Sequence, residues 1–446
     1  MRSRHRIAVL ISTASLAFAA CSGGGGATPS PSSAAPSGAE PSTAAPSEVS
    51  TEPVTIDWWH INNNDPGKAL WQTMADEFTA AHPNVTFKIT VLENDTFKPK
   101  LTTELQGGNV PDLFQSWGGG GMAEQVDAGL LKDITADVAD WADTMNAGAM
   151  GMYQYEGKQY GIPNDLGMVG IWYNKDLFTQ AGITEPPATW DDFLTAVDKL
   201  KAAGITPISV GGSPATWTEM FWWAYLAIRE CGKDKLDAAI SSGDWNDACF
   251  VEAGTKVKEL VDKQPFQEGF LAAVWDGAGG SAASTAVEDS AMLLQGQWAP
   301  GTMMSNTADK KAVTWDLQWF PFPSVDGGAG KPTDGFGGGN GFAVGKDAPP
   351  EAIEFLKYIS DKAQADRWGA LNTGVLPVTV GSESSVTDPN LKSVLDARAK
   401  ADFVQLYLDQ ATNPDLGAAI NDAVATLFAG TGTPEQVTQA ITDAAQ

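Results

Sequence analysis

The sequence is short of several things that common functions need. It has 3 Cys and 3 His in 446 residues, and no Cys/His pair has the spacing of a zinc site. Only 28 Lys and Arg stand against 55 Asp and Glu, for a formal net charge of −27. A surface that acidic repels nucleic acid and anionic lipid, and no basic cluster makes room for an anionic ligand. No stretch is apolar for the ~20 residues of a membrane-spanning helix. The phosphate-loop pattern Gly-x-x-x-x-Gly-Lys-Ser/Thr is missing, as is the Gly-x-Ser-x-Gly nucleophile elbow. With His5 in the leader, only His60 and His82 are left for a catalytic triad, and His82 stands in a helix-ending His-Pro. Gly118-x-Gly120-x-x-Ala123 fits a loose dinucleotide pattern, but four consecutive glycines make that match cheap, and no strand with a ribose-binding acid follows. Paired carboxylates for glycoside hydrolysis stay open, because so many acids leave pairs available.

The chain does have a distinctive start. Arg2, Arg4 and Arg6 precede residues 7–20, all apolar or small, and Cys21 follows at once. Residues 1–20 read as a secretory signal, too short to span a bilayer as a helix. Cleavage before Cys21 leaves an N-terminal thiol open to lipidation. Phe18-Ala19-Ala20-Cys21 resembles the bacterial lipobox, with Phe where Leu is usual; ordinary secretion, with Cys21 a passenger, is the alternative. Residues 21–53, rich in Ser, Pro, Ala and Gly, read as a disordered tether. The expectation is an exported protein held to the outer face of the cell membrane by its anchor alone. If Cys21 is lipidated, Cys231 and Cys249 remain as an even pair in an oxidising compartment, where a disulfide is expected and two buried thiols are the alternative.

The body begins near Val54. β-Branched and aromatic runs at 54–59, 85–92, 112–117, 168–173, 207–210, 291–294, 315–322 and 342–344 read as strands. Between them, Leu70, Met74 and Phe78 recur at helical spacing. Thr189 is a candidate N-cap for a helix burying Phe193, Val197 and Leu200, and 351–360 buries Ala352, Phe355, Leu356 and Ile359. This alternation predicts an α/β protein with open, largely parallel sheets, and the tail to 446 reads as mostly helical. Such sheets take ligands beyond the carboxyl ends of their strands. The turns there carry Asn63, Asn64, Asp65, Gln115, Asn164, Asp165, Asp276, Gln297 and Asn340, with His60 opening the first of them. Amides donate and accept together and ionised Asp accepts twice, an inventory suited to a polyhydroxylated neutral ligand. Turn chemistry alone accounts for any single one of them. There are 16 Trp against 7 Tyr. Trp117, Trp275 and Trp298 adjoin polar turns, while Trp217 and the pair Trp222-Trp223 flank an aromatic helix start. A flat aromatic ringed by amides matches the apolar face and polar edge of a sugar ring. Trp58, Trp71 and Trp172 read as core.

Gly157-Lys158-Gln159-Tyr160-Gly161-Ile162-Pro163, continuing to Trp172-Tyr173-Asn174-Lys175-Asp176-Leu177-Phe178, resembles the signature of extracellular solute-binding proteins of ABC sugar importers (family 1 sugar-binding proteins). So do Leu101-Thr102-Thr103-Glu104-Leu105, Pro111-Asp112-Leu113-Phe114 and Ala291-Met292-Leu293-Leu294-Gln295-Gly296-Gln297-Trp298. The resemblance runs from about Val54 to at least Val380. Phe114–Gly119, Gly167–Gly170, Gly296–Pro300 and Gly337–Phe342 are most similar to binders of xylobiose and related xylo-oligosaccharides. The resemblance implies a two-lobed periplasmic-binding-protein-like fold, with hinge crossovers and the ligand in the cleft between the lobes. Lobe one takes 54–162 and 302–359; lobe two takes 163–301 and 360–446. It implies that Asp165 holds sugar hydroxyls, that Trp298 is a stacking platform, and that Gly338 and Asn340 lie in a turn that approaches the ligand; Gly118 and Gly339 are further candidates for ligand binding. The family often has Asp where Asn340 stands. The implied partners are a neutral oligosaccharide and the permease subunits of an ABC importer. A monomeric binder without cofactor, metal or catalysis follows from the same resemblance, with a surface glycosidase, a polysaccharide adhesin or a binder of a different short oligosaccharide as alternatives.

Overall fold

A computed structural model of the protein describes residues 52–213 and 216–446. The expected signal, Cys21 and nearly all of the tether lie outside the described residues.

The first sheet grows from Val54–His60, which pairs in parallel with Val85–Val91 and with Leu113–Ser116. Alternation along this strand sends its large residues to both faces. Ile56 and Trp58 enter a core with Trp71, Phe78, Phe342 and Phe355, while Trp59 joins Phe97, Leu101, Phe114 and Tyr153 on the other side. Helix Gly67–Ala81 covers the first face through Trp71, Met74, Ala75 and Phe78, so the apolar stripe is centred one residue beyond Leu70, which is only half-buried. Gly341–Val344 adds antiparallel to Leu113–Ser116, and Gly161–Pro163 pairs antiparallel with it at the edge, so that it runs with the first three strands. Four of its five strands therefore run one way, as the largely parallel expectation has it, and the single reversed strand, Gly341–Val344, is delivered by chain returning from the second sheet.

The second sheet has the order Leu317–Phe320, Gly170–Asn174, Ser290–Gln295, Thr206–Ser209, and it too mixes directions. Its core holds Trp172, Phe193, Trp222, Trp223 and Leu293. Helix Trp190–Ala202 starts where expected, with Thr189 Oγ1 accepting from Asp192 N at 3.1 Å. Helix Trp217–Ser242 is bonded to helix Ala248–Asp262 by the Cys231–Cys249 disulfide. Closing a loop of this size is worth about 3 kcal/mol on the chain-entropy model.

Two of the expected lobe boundaries move. Leu317–Phe320 was placed in lobe one, but its backbone bonds are to Gly170–Asn174 in the second sheet. Helix Lys362–Ala370 was placed in lobe two, yet Trp368 packs 4.4 Å from Trp71 in the first core. Neither segment carries its sheet partner in its own sequence, and burial against a distant core decided both. The tail from Pro389 joins the second core through Leu391, Val394, Ile420 and Val424.

A short third sheet, Val404–Leu406, Gly335–Gly338 and Gly167–Met168, bridges the two. The chain leaves the first sheet through 164–166 and re-enters it through 339–340. Among the described residues no helix is long and apolar enough to cross a membrane.

Candidate ligand-binding cleft

The ends of the first sheet's strands and the aromatic start of helix Trp217–Ser242 face one cleft. It holds about 1240 Å³ of empty space, open solvent included.

One wall is polar. The turn after Val54–His60 presents Asn62, Asn63, Asn64 and Asp65. Asn62 is fixed from behind, its Oδ1 accepting from the buried Trp71 Nε1 at 3.0 Å. After Val85–Val91 the chain turns through Glu93, whose carboxylate caps the next helix by accepting from Asp95 N and Thr96 N. Burial and the nearby Asp95 and Asp276 charges push the Glu93 carboxyl upward. Asn94 and Lys98 follow on the same helix. Lys98 Nζ lies 5.0 Å from the Trp117 ring centre and pairs with Asp409 at 3.1 Å.

The opposite wall is aromatic. Trp217 lies edge-on to Trp275 at 5.9 Å and to Trp298 at 6.5 Å, and Trp298 edge-on to Tyr407 at 5.9 Å. Phe221 stacks on Tyr407 at 5.5 Å. Such offset and edge contacts hold flat rings in fixed orientations. The Tyr407 hydroxyl is buried without a partner among the described residues, and burial keeps it protonated, so it is a donor in search of an acceptor. Besides the Lys98–Asp409 pair, Asn64 Nδ2 donates across the cleft to Asp276 Oδ2 at 3.1 Å, and Trp217 Nε1 to Asp95 Oδ1 at 3.3 Å. Asp276 Oδ1 also accepts from Asn306 Nδ2 at 2.7 Å.

Of the residues singled out in the sequence, Asn63, Asn64, Asp65, Trp117 and Asp165 line this cleft, together with Trp217, Trp275, Asp276, Trp298, Gly339 and Asn340. Seven others stand off it. His60 is two residues on from Trp58 and shares its face, packed 4.9 Å away; burial and the Lys68 charge push its pKa down to about 3, so it is a neutral core side chain. Trp222 follows Phe221 on the helix and so points away from the cleft, into Phe193 and Phe322. Gln115 is 2% exposed and reaches the cleft only through Asn340. Gly118 caps the next helix with φ +71°, and a Cβ there would meet the Met152 carbonyl at 2.1 Å. Asn164 gives its backbone N–H to the Asn340 carbonyl while its side-chain Oδ1 is buried without a partner among the described residues, Gln297 is fully buried against Gly167, and Gly338 is packed under the Tyr407 ring.

Sequence reasoning missed Glu93, Lys98, Phe221, Trp368, Tyr407 and Asp409, all of which line the cleft. Phe221 was findable as the i+4 neighbour of Trp217. Tyr407 and Asp409 sit just after strand Val404–Leu406, in a tail that reads as helical. Among the described residues no group of three or more His, Cys, Asp or Glu has the arrangement of a metal site.

The family model for bacterial extracellular solute-binding proteins matches residues 62–366, well over half of the chain. The chain belongs to that family. It is a family of binding proteins rather than of enzymes. A Mesorhizobium japonicum protein described as a probable sugar-binding periplasmic protein is 27% identical over 248 residues, 54% of this chain and 57% of that one. The chain thus spans somewhat over half the length of that relative. The diacetylchitobiose binding protein DasA of Streptomyces coelicolor is 27% identical over 364 residues, covering 78% of this chain and 77% of its own length. A solved structure from work on xylan utilization by Caldanaerobius polysaccharolyticus superposes with a TM-score of 0.81 at 26% identity, over 87% of this chain and 99% of that one. The bacterial extracellular solute-binding protein described here shares the mixed α/β, two-lobed fold of that solved structure, with the cleft where the two sheets' cores meet.

Proposed function

We propose that the protein is the capture component of an ABC sugar importer and that its cleft takes a short neutral oligosaccharide, with xylobiose or another xylo-oligosaccharide as the preferred ligand. The observation that carries this reading is the pairing of an aromatic wall with a wall of amides and acids across one cleft. A sugar ring stacks its C–H face on Trp298 or Trp217, while Asn63 and Asn64 meet its rim of hydroxyls. Asp65, Glu93, Asp276 and Asp409 against the single Lys98 favour a ligand without negative charge. Relatives associated with xylan and with diacetylchitobiose support the oligosaccharide class; the preference for xylose units rests on the local motifs around Trp117 and Trp298.

Capture involves no bond made or broken. The sugar binds one wall, the second wall closes on it, and closure is favoured by as much as the ligand prefers the closed state. The loaded protein then docks on membrane permease subunits, tethered beside them through a lipidated Cys21. A tether of the length of 22–53 has a root-mean-square reach of about 30 Å.

Calorimetry against graded xylo-, cello-, malto-, arabino- and N-acetylated chito-oligosaccharides tests this directly, with chromatography of each mixture afterwards. The expected result is micromolar, one-to-one binding of a di- or trisaccharide that is recovered intact. Silence across the whole panel refutes the reading, and hydrolysed product replaces it with a surface glycosidase.

A further inference from the structure

We propose that Asp165 and Asn340 form a fixed pivot between the crossovers, positioning the two walls of the cleft rather than contacting the sugar. This inference rests on the sugar-capture reading above. Each residue sits in a segment that leaves one sheet for another, 164–166 for Asp165 and 339–340 for Asn340. Asn340 N donates to Asp165 Oδ1 at 2.5 Å, and Asn340 Nδ2 donates to Asp165 Oδ2 at 3.1 Å. Asn340 Oδ1 accepts from Gln115 Nε2 at 2.8 Å. Its carbonyl accepts from the amides of Asn164 at 2.8 Å and Asp165 at 3.2 Å. Every polar atom of Asn340 is therefore committed to the protein.

The two crossovers touch because position 339 is glycine. A Cβ on Gly339 would lie 1.8 Å from the Asp165 carbonyl oxygen, where no side chain fits. A third passage is pinned at the same point: Leu166 N donates to Leu376 O at 3.1 Å, and Asp165 bridges Pro377. Arg398, from helix Pro389–Lys400, donates to the Leu166 carbonyl. Asp165 is 2% exposed, so its carboxylate has little surface left for a hydroxyl. Burial raises its pKa to about 6, held back from going further by the Asn340 bonds and the Arg398 charge.

The arrangement is directional, which makes it testable by exchange. Asp165 only accepts, whereas the Asn340 amide donates to Asp165 and accepts from Gln115. Asp165→Asn turns one of these contacts into donor against donor. Asn340→Asp sets two carboxylates face to face in a buried place, where both cannot be ionised cheaply. The double variant Asp165→Asn/Asn340→Asp restores one carboxylate and one amide, with the Gln115 bond still made. We expect each single variant to lower the melting temperature and to weaken xylotriose binding at least tenfold, with N,N′-diacetylchitobiose as a second probe. The exchange should return affinity to within threefold of the parent, a coupling that a double-mutant cycle reads out. If Asp165 instead holds the sugar itself, moving the carboxylate leaves affinity as low as in Asp165→Asn even where melting recovers, and the pivot is refuted. Single variants that melt early yet bind normally refute it equally. Gln115→Ala covers the case in which the single variants do not fold. Gln115 does not line the cleft, so a severalfold loss of affinity must pass through Asn340, and unchanged affinity contradicts the pivot. A parent protein that binds no neutral sugar defeats the capture reading and takes this inference with it; a binding parent without rescue defeats this inference alone.

Discussion

The polar wall of the cleft is built largely from neighbours in sequence, Asn62 to Asp65 and Glu93 to Lys98, whereas the aromatic wall gathers Trp217, Trp275, Trp298 and Tyr407 from four distant segments. The first wall needs only strand ends: the chain must turn there, and Asn and Asp serve turns and ligands alike. The second needs the whole second core to fold before its rings face one another. If the account is right, the aromatic wall supplies most of the binding energy and the polar wall most of the orientation.

The sharpest way to break that contrast is Trp298→Ala. Losing a stacked ring should cost about 2 kcal/mol, roughly a thirtyfold weaker sugar affinity by calorimetry. An unchanged affinity with an intact fold would return Trp298 to the core. Asn64→Ala should cost less, about 1 kcal/mol or roughly fivefold, since it removes one hydrogen-bonding amide from the polar wall. If Asn64→Ala were the more damaging of the two, the division of labour would be reversed. Trp222→Phe sharpens the contrast from the core side: it should lower thermal stability by a few degrees and leave affinity within twofold of the parent.

The smallest expected effect lies behind the aromatic wall. Glu219 is fully buried near the start of helix Trp217–Ser242, its carboxylate without a partner among the described residues, and burial raises its pKa to about 8. The folded state therefore holds this proton more tightly than the unfolded chain does. Its contribution is most favourable below the unfolded value of 4.5, and stability falls as pH rises from there to about 8. Glu219→Gln should melt a few degrees higher than the parent at pH 9, match it near pH 5, and bind sugar unchanged. A variant that melts lower at pH 9 would mean that the carboxylate is paired after all.

Much of this was legible in the sequence, and the limits have physical causes. Val54–His60, Val85–Val91 and the Thr189-capped helix lie close to where periodicity and capping put them, because each is decided by local burial pattern. The one reversed strand of the first sheet was not, since Gly341–Val344 takes its direction from chain returning from the second sheet. Asn64 and Trp298 were readable as polar turn and flanking aromatic. His60 was misleading because it looks like the first residue of that turn, while strand alternation keeps it inside with Trp58 and Trp71. Trp222 misled for the matching reason on a helix: one residue, a rotation of ~100°, separates the cleft-facing Phe221 from the core. Tyr407 escaped notice because nothing local marks it; only the fold brings it to Trp298.

Hydrogen–deuterium exchange of the protein with and without xylotriose tests the central claim most directly. The account predicts slowed exchange confined to the cleft segments, 61–67, 93–98, 217–221, 275–276, 298–304 and 407–410, with the rest of the second core unaffected. Sugar binding that protects a different surface, or that leaves these segments exchanging as before, would contradict it.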